Sequence, residues 1–297
     1  MEPSFSSSLK DFVRNSLSDY ALMQVTSNYR RIRLGMTPRW VNIRNPSRFT
    51  EKILWMKRYH RMENASVLAD KVAVRDYVSE RVGDDVLVPL AGVYERPDDI
   101  RISDLPPAFV IKPNHASGYV LFGQRGTADL SDITCVCGKW LDIDYAVASR
   151  EYQYKGIPRN LVVELDMRSI TRTEDIPDYK FFCFDGEPVF VQIDIGRFSK
   201  HRRDFYDMKW RRQPFELLHP GSGKVFPRPE KFERMKEIAS RLSQGMSFIR
   251  VDLYDIKGDI YFGELTFHPD GGYGPFMPDR YDNEFGKLLT LPKTADR

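Results

Sequence analysis

The chain has 297 residues, 41% hydrophobic and 29% charged, with a net charge of +3 at pH 7. This composition excludes a disordered chain, and the small net charge gives no argument for nucleic acid. No run approaches the roughly 18 apolar residues of a membrane span. A chain of this length is near the size at which one core stops growing, so two or three subdomains are expected.

The charge is unevenly spread. Residues 1–61 hold twelve Lys or Arg against Glu2, Asp11, Asp19 and Glu51. That basic end suits anionic lipid in a weak peripheral contact, a polyanionic substrate or a partner, and a solvated helical surface has the same pattern. Cys135, Cys137 and Cys183 are too few and too closely spaced for a zinc site. They point to a reducing compartment. The first residues, MEPSFSSSLKDF, lack an apolar signal core, so the cytoplasm is expected.

In chain order, residues 9–34 carry helical spacing until Pro38 and Pro46 break it. A second helix is expected over 49–60, capped by Ser47 or Thr50. A third starts at Asp70, runs through Val74, Tyr77, Val78 and Val82, and stops at Gly83. Short strands follow at 86–94 and 108–112, then a polar turn at 114–118 and a further strand at 119–122. Leu130, Ile133, Cys137, Trp140 and Leu141 recur at helical spacing. Residues 160–165 form an apolar strand interrupted by Glu164. Strands at 178–184 and 189–194 flank the turn Asp185-Gly186. An Arg-, Tyr- and Trp-rich loop is expected through 213. An amphipathic helix through Phe232, Met235, Ile238 and Leu242 ends at Gly245.

The last hairpin, 248–268, carries the strongest pattern. Arg250 and Asp252 share one strand face, and Glu264, Thr266 and His268 share a face of the next. With Lys257-Gly258-Asp259 as the loop, Asp252 lies opposite Glu264. Two opposed carboxylates repel by roughly 0.2–1 kcal/mol. A divalent cation between them reverses the sign.

Other candidates precede it. Lys112 ends an apolar strand just before a small-residue turn holding Ser117 and Gly118, where lysine and backbone N–H groups can meet a phosphate. Glu164 needs donors on its apolar strand, from a ligand or from a nearby Arg. Asp178 and Lys180 start a strand whose same face continues with Phe182 and Phe184, as suits entry into a core from a cleft. No catalytic triad or HExxH motif occurs.

The order is Lys71, Lys112, a small-residue loop, Glu164, Lys180, Arg250-x-Asp252 and Glu264. It resembles the ATP-grasp superfamily. FTEKILWMKRYHR, ADKVAVRDYV, FVIKPNHASG, SREYQYKGIPRNLVVE, PDYKFFCFDGEP, RDFYDMKW and IRVDLYDIKGDIYFGELTFHPDGGYG resemble its TupA-like branch, named for teichuronopeptide biosynthesis. The resemblance implies an α+β ATP-grasp fold: a helical region at 1–67, a central subdomain at 68–165 and a C-terminal subdomain at 166–297. It also implies ATP and Mg2+. Lys71, Lys112, Ser117, Gly118, Glu164 and Lys180 would hold the nucleotide, Asp252 and Glu264 the metal. Arg250 and Lys180 would act on the transferring phosphoryl group.

The implied reaction joins a carboxylate substrate to an amine acceptor of sugar or peptide type through an acylphosphate. A kinase that stops at a phosphoester, a nucleotide-binding protein without catalysis and a basic adaptor for membrane or nucleic acid are the alternatives. Arg197, Arg202, Arg203, Arg211 and Arg212 are candidates for a substrate carboxylate. Three positions depart from the pattern, one from the common superfamily ending and two from the branch's phosphate loop. Thr266 stands where a metal-binding Asn is usual, and Ala116 and Tyr119 stand where glycine is expected.

Overall fold

The computed structural model describes residues 17–171, 176–196 and 200–292. Two antiparallel sheets organise it. The first contains β1 (Leu90–Tyr94), β2 (Ala108–Pro113), β3 (Leu121–Gln124) and β4 (Leu161–Leu165), in the order β1-β4-β2-β3. The second contains β5 (Asp178–Phe184), β6 (Glu187–Ile195), β7 (Arg202–Asp207), β9 (Phe248–Ile256) and β10 (Asp259–Thr266), in the order β10-β9-β5-β6-β7. A small ribbon pairs β8 (Glu216–Leu217) with β11 (Phe276–Met277). No helix among the described residues is long and apolar enough to cross a membrane.

Side-chain alternation decides what each sheet face meets. On the four-stranded sheet, Phe109, Ile111, Leu161 and Val163 pack with Ile133, Cys137 and Trp140 of helix Leu130–Leu141. The opposite face therefore presents Val110, Lys112, Val162 and Glu164. On the five-stranded sheet, Tyr179, Phe181, Cys183, Ile249, Val251 and Leu253 share a core with helix Phe232–Ser243. Helix Val74–Val82 buries Val74, Val78 and Val82 in that same core. The other face of this sheet is divided. One end carries Asp178, Lys180, Arg250 and Asp252, all buried. The other carries Phe182, Phe184, Phe190, Phe205 and Phe248, packed against Phe49, Ile53 and Met56 of helix Phe49–Tyr59.

Several local expectations change. Residues 202–207 form the edge strand β7, where a loop was expected. Arg203 and Asp204 are buried because their charges are paired (below), and Phe205 and Tyr206 are buried in the core. Helix Phe49–Tyr59 is capped by neither Ser47 nor Thr50. The Glu51 carboxylate instead accepts the N–H groups of Ser47 and Arg48, both at 3.2 Å. The first helix is described as Asp19–Arg33, with Ser18 at its N-cap. Residues 9–16 of that expectation lie outside the described residues.

The last hairpin turns more tightly than expected. Asp259 pairs with Ile256, leaving a two-residue turn of Lys257 and Gly258 at φ 55 and 89. That turn alone would set Glu264 opposite Val251. A bulge at Gly263 moves the register by one residue and restores Glu264 opposite Asp252. Hence Ile260 and Phe262 before the bulge, and Leu265 and Phe267 after it, all reach the same core. Little room is left for a side chain at the bulge. A Cβ on Gly263 would lie 3.1 Å from the Asp252 carbonyl oxygen and 3.0 Å from the Tyr254 ring.

Candidate active site

The exposed faces of the two sheets enclose a cavity of about 310 Å³. One wall offers cations, Lys71 and Lys112, with Ser117 and Gly118 of the loop after β2. The facing wall offers Asp178, Asp252 and Glu264. Between them lies an apolar slot that includes Leu87, Val88, Val110, Leu165, Met167 and Ile176. Apolar lining of this kind, with Arg75, Glu164, Asp166 and Arg168 also on the cavity wall, suits a flat base followed by a polyanion.

The ladder lines up the charged groups. Lys180 is opposite Asp252, and Asp252 is opposite Glu264. The Arg250 guanidinium holds both Asp252 oxygens at 2.7 Å. It also donates to Glu264 at 3.2 Å and to the Thr266 hydroxyl at 2.9 Å. Lys180 is buried between Asp178, at 2.5 Å, and Asp252. Thus Lys180 and Arg250 do not stand on the cavity wall but lie behind Asp252. Burial opposes the Arg250 charge, yet the carboxylates of Asp252, Glu264 and Asp270 together outweigh it and raise its pKa. Burial pushes the Asp252 carboxyl up, against Arg250 and Lys180.

Lys71 is positioned by the buried Asn114, the first residue of the polar turn expected at 114–118. The Asn114 amide donates to Asp70 at 2.9 Å and to the Pro158 carbonyl at 2.8 Å. Its side-chain oxygen accepts the Asn160 N–H at 2.8 Å. Three segments are thereby tied together at the loop. The Lys71 ammonium donates to the Ala116 carbonyl of the same loop. Burial lowers Lys71 to about 8, while Glu264 opposes the shift and Lys112 adds to it.

Residues 51–290 match the family described as TupA-like ATPgrasp. The chain belongs to the TupA-like ATP-grasp family. No curated protein matches it. Among solved structures it is similar to the ATP-grasp ligase PsnB complexed with minimal precursor, at 9% identity over 69% of this chain and 54% of that one, TM-score 0.40. It is similar to D-alanine–D-alanine ligase from Bacillus anthracis complexed with ATP, at 14% identity over 68% and 54%, TM-score 0.39. Phosphoribosylamine–glycine ligase from Thermotoga maritima is similar at 14% identity over 78% and 58%, TM-score 0.40. The chain spans little more than half the length of these proteins.

Thr266, which departs from the common superfamily ending, and Tyr119, which departs from the branch's glycine-rich loop, each have a visible place in the structure. The Thr266 hydroxyl donates to Glu264 at 3.0 Å while accepting from Arg250. It orients Glu264 whether or not it touches a metal. The Tyr119 ring lies 6.0 Å from the Trp140 ring and 6.3 Å from that of Tyr145. Packed with the core of the first sheet, it leaves Gly118, at φ 87, to turn the loop.

Among the described residues no group of three or more His, Cys, Asp or Glu side chains is placed to hold a metal ion. The donor set here is two carboxylates, Asp252 and Glu264, on adjacent strands. Magnesium bound by one or two carboxylates takes its other oxygens from water and nucleotide phosphate, and this pair fits that chemistry.

Glu164 finds its donors within the protein. Lys112 approaches it at 2.8 Å and Arg75 at 3.7 Å. The sequence reading missed Arg75, one helical turn beyond Lys71. It also missed Arg168, which holds Asp166 at 2.7 Å and stacks 3.5 Å over the Phe122 ring, and Tyr154 on the cavity wall. Burial, with Glu151 and Glu264 nearby, pushes the Tyr154 phenol well above its ordinary value. Arg75 and Tyr154 fall within the stretches ADKVAVRDYV and SREYQYKGIPRNLVVE but no local pattern singles them out, and Arg168 lies outside every such stretch.

Most of the proposed substrate arginines are committed elsewhere. Arg203 holds Asp194 at 2.9 Å and Asp270 at 2.8 Å. Arg212 holds Asp204 and Arg211 holds Asp207, both at 2.6 Å. Arg202 is half-buried at the start of β7, and Arg197 lies outside the described residues. His268 is buried 3.6 Å from Glu151 and 3.3 Å from Gln153, away from the cavity wall.

Proposed function

We propose that this protein is an ATP-dependent ligase that joins a carboxylate to an amine, producing ADP and phosphate. The observation that carries the reading is the opposition of Lys71 and Lys112 to Asp252 and Glu264 across one cavity with an apolar slot beside it. The slot takes the adenine, and the lysines take the phosphates. Bound Mg2+ would be held by Asp252 and Glu264 and would offset charge on the phosphoryl oxygens.

In this reading a substrate carboxylate oxygen attacks the γ-phosphorus, and the bond to the β-phosphate oxygen breaks. The amine nitrogen then attacks the carbonyl carbon, the bond to the phosphate oxygen breaks, and the nitrogen's proton is released to water as phosphate leaves. No side-chain nucleophile is required. Arg250 supports the carboxylates from behind, and its positive charge would offset negative charge as it develops. Lys180, with Arg250, opposes the burial that pushes the Asp252 carboxyl up. The branch's namesake process favours a uronic-acid polysaccharide precursor or a peptide-type product as the acceptor.

An ADP-release screen over amino acids and uronic acids, with product mass, tests the reading. An amide with free phosphate is expected, and ADP release is expected to fall in Asp252→Asn. A stable phosphoester would show a kinase instead. Equal ADP release from Asp252→Asn would remove the metal assignment.

A further inference from the structure

The two lysines of the cavity are not equally placed for a phosphate. Lys71 already reaches the loop after β2, through the Ala116 carbonyl. The Lys112 ammonium instead lies 2.8 Å from Oε2 of Glu164. Glu164 pairs with Val110, two residues before Lys112 on β2. Ser117 and Gly118 follow Lys112 in the opposite direction. Two residues of strand span about 7 Å, so Lys112 leans back along β2, away from the loop.

A second cation stands at the same carboxylate. Arg75 of helix Val74–Val82 has Nη1 3.7 Å from Oε1 of Glu164. Its Nη2 donates to the Val88 carbonyl at 3.0 Å. That bond fixes the guanidinium beside Glu164, and the two cations use different carboxylate oxygens. The Glu164 side chain is 13% exposed. Losing Lys112 without a replacement would leave a largely buried charge uncompensated, which is costly. Bringing Arg75 from 3.7 Å to hydrogen-bond contact takes a movement of only about 1 Å.

We propose that Arg75 is a positioning residue that frees Lys112 for the nucleotide phosphates. As Lys112 swings toward the loop, Glu164 passes to Arg75. The carboxylate is exchanged between two cations and never left bare, so the lysine moves at little cost. An arginine suits the role because its fork can hold the Val88 carbonyl and Glu164 together. The inference rests on the reading of this cavity as a nucleotide site.

The test is a double-mutant cycle on binding, read by calorimetry with MgATP and with adenosine. Arg75→Gln is expected to weaken MgATP about tenfold and adenosine by less than about twofold, since adenosine has no phosphate for Lys112. Glu164→Gln is expected to change MgATP affinity little in the wild type, where Arg75 answers the carboxylate. In Arg75→Gln, where Lys112 must answer it, the same change is expected to raise MgATP affinity about tenfold. A long-range effect of charge would give Glu164→Gln the same factor in both backgrounds, and that additive result overturns the proposal. Equal loss of MgATP and adenosine in Arg75→Gln also overturns it, because the Val88 bond is then only structural. If Arg75→Gln does not fold, Arg75→Lys carries the cycle, with coupling in the same direction expected and additivity again overturning the proposal. A wild type that binds neither ligand removes the nucleotide reading and this inference with it. A wild type that binds both, with an additive cycle, removes the inference alone.

Discussion

Replacing Arg250 by Met tests the charge arrangement under the candidate active site. Asp178 and Asp252 are each 1% exposed, and Arg250 and Lys180 are the buried cations beside them. Without Arg250, the two carboxylates share Lys180. Removing one partner of a buried ion pair costs about 3–5 kcal/mol. The lost contacts lead to a similar figure. Two hydrogen bonds to Asp252 at 2.7 Å disappear, and bonds to charged groups contribute about 1.5–3 kcal/mol each.

Asp252→Leu combined with Arg250→Met removes both charges, and a well-packed apolar pair is expected to regain much of the loss. Urea unfolding, comparing midpoints at unchanged slope, measures both variants. A loss below about 1 kcal/mol in the single variant would refute the reasoning. So would a double variant no more stable than the single one.

Lys71 sets a pH dependence. Its folded value of about 8 lies below its ordinary 10.5, so the unfolded chain binds more protons between those values and stability should rise with pH there. ATP affinity should move the other way, weakening above about pH 8 as the cation is lost, and Lys71→Met should flatten both profiles. Gly263→Val should destabilise by about 1–3 kcal/mol and weaken ATP binding by displacing Glu264 from Asp252; unchanged thermal unfolding and affinity would remove the role given to the bulge. Asn114→Leu should cost about 1–3 kcal/mol for each buried group left unpaired, read by thermal unfolding, and should reduce ATP affinity because Lys71 loses its anchor.

Much of this fold is legible because most of its strands alternate over several residues. Tyr179, Phe181 and Cys183 against Lys180, Phe182 and Phe184 already specify a two-faced strand. The edge strand β7 is not legible. Arg202, Arg203, Asp204 and Asp207 read as a wet loop until Asp194, Asp270 and Arg212 are in place to pair with them. The Asp252–Glu264 pairing was reached through a three-residue loop, whereas the structure reaches it through a two-residue turn and a bulge. The phase change that reveals the bulge is present in the residues, since Ile260 and Phe262 are even-numbered and Leu265 and Phe267 odd.

The sequence by itself determined the last hairpin, its two faces and the order of lysines and acids that leads to it. These follow from local periodicity and turn chemistry, which act between near neighbours. Tertiary structure alone decided which charges reach the cavity. Lys180 and Arg250 lie behind Asp252, Glu164 is shared by Lys112 and Arg75, and Arg203 is committed to Asp194 and Asp270. A buried charge must be paired, and its partner here is set by which strands meet rather than by distance along the chain.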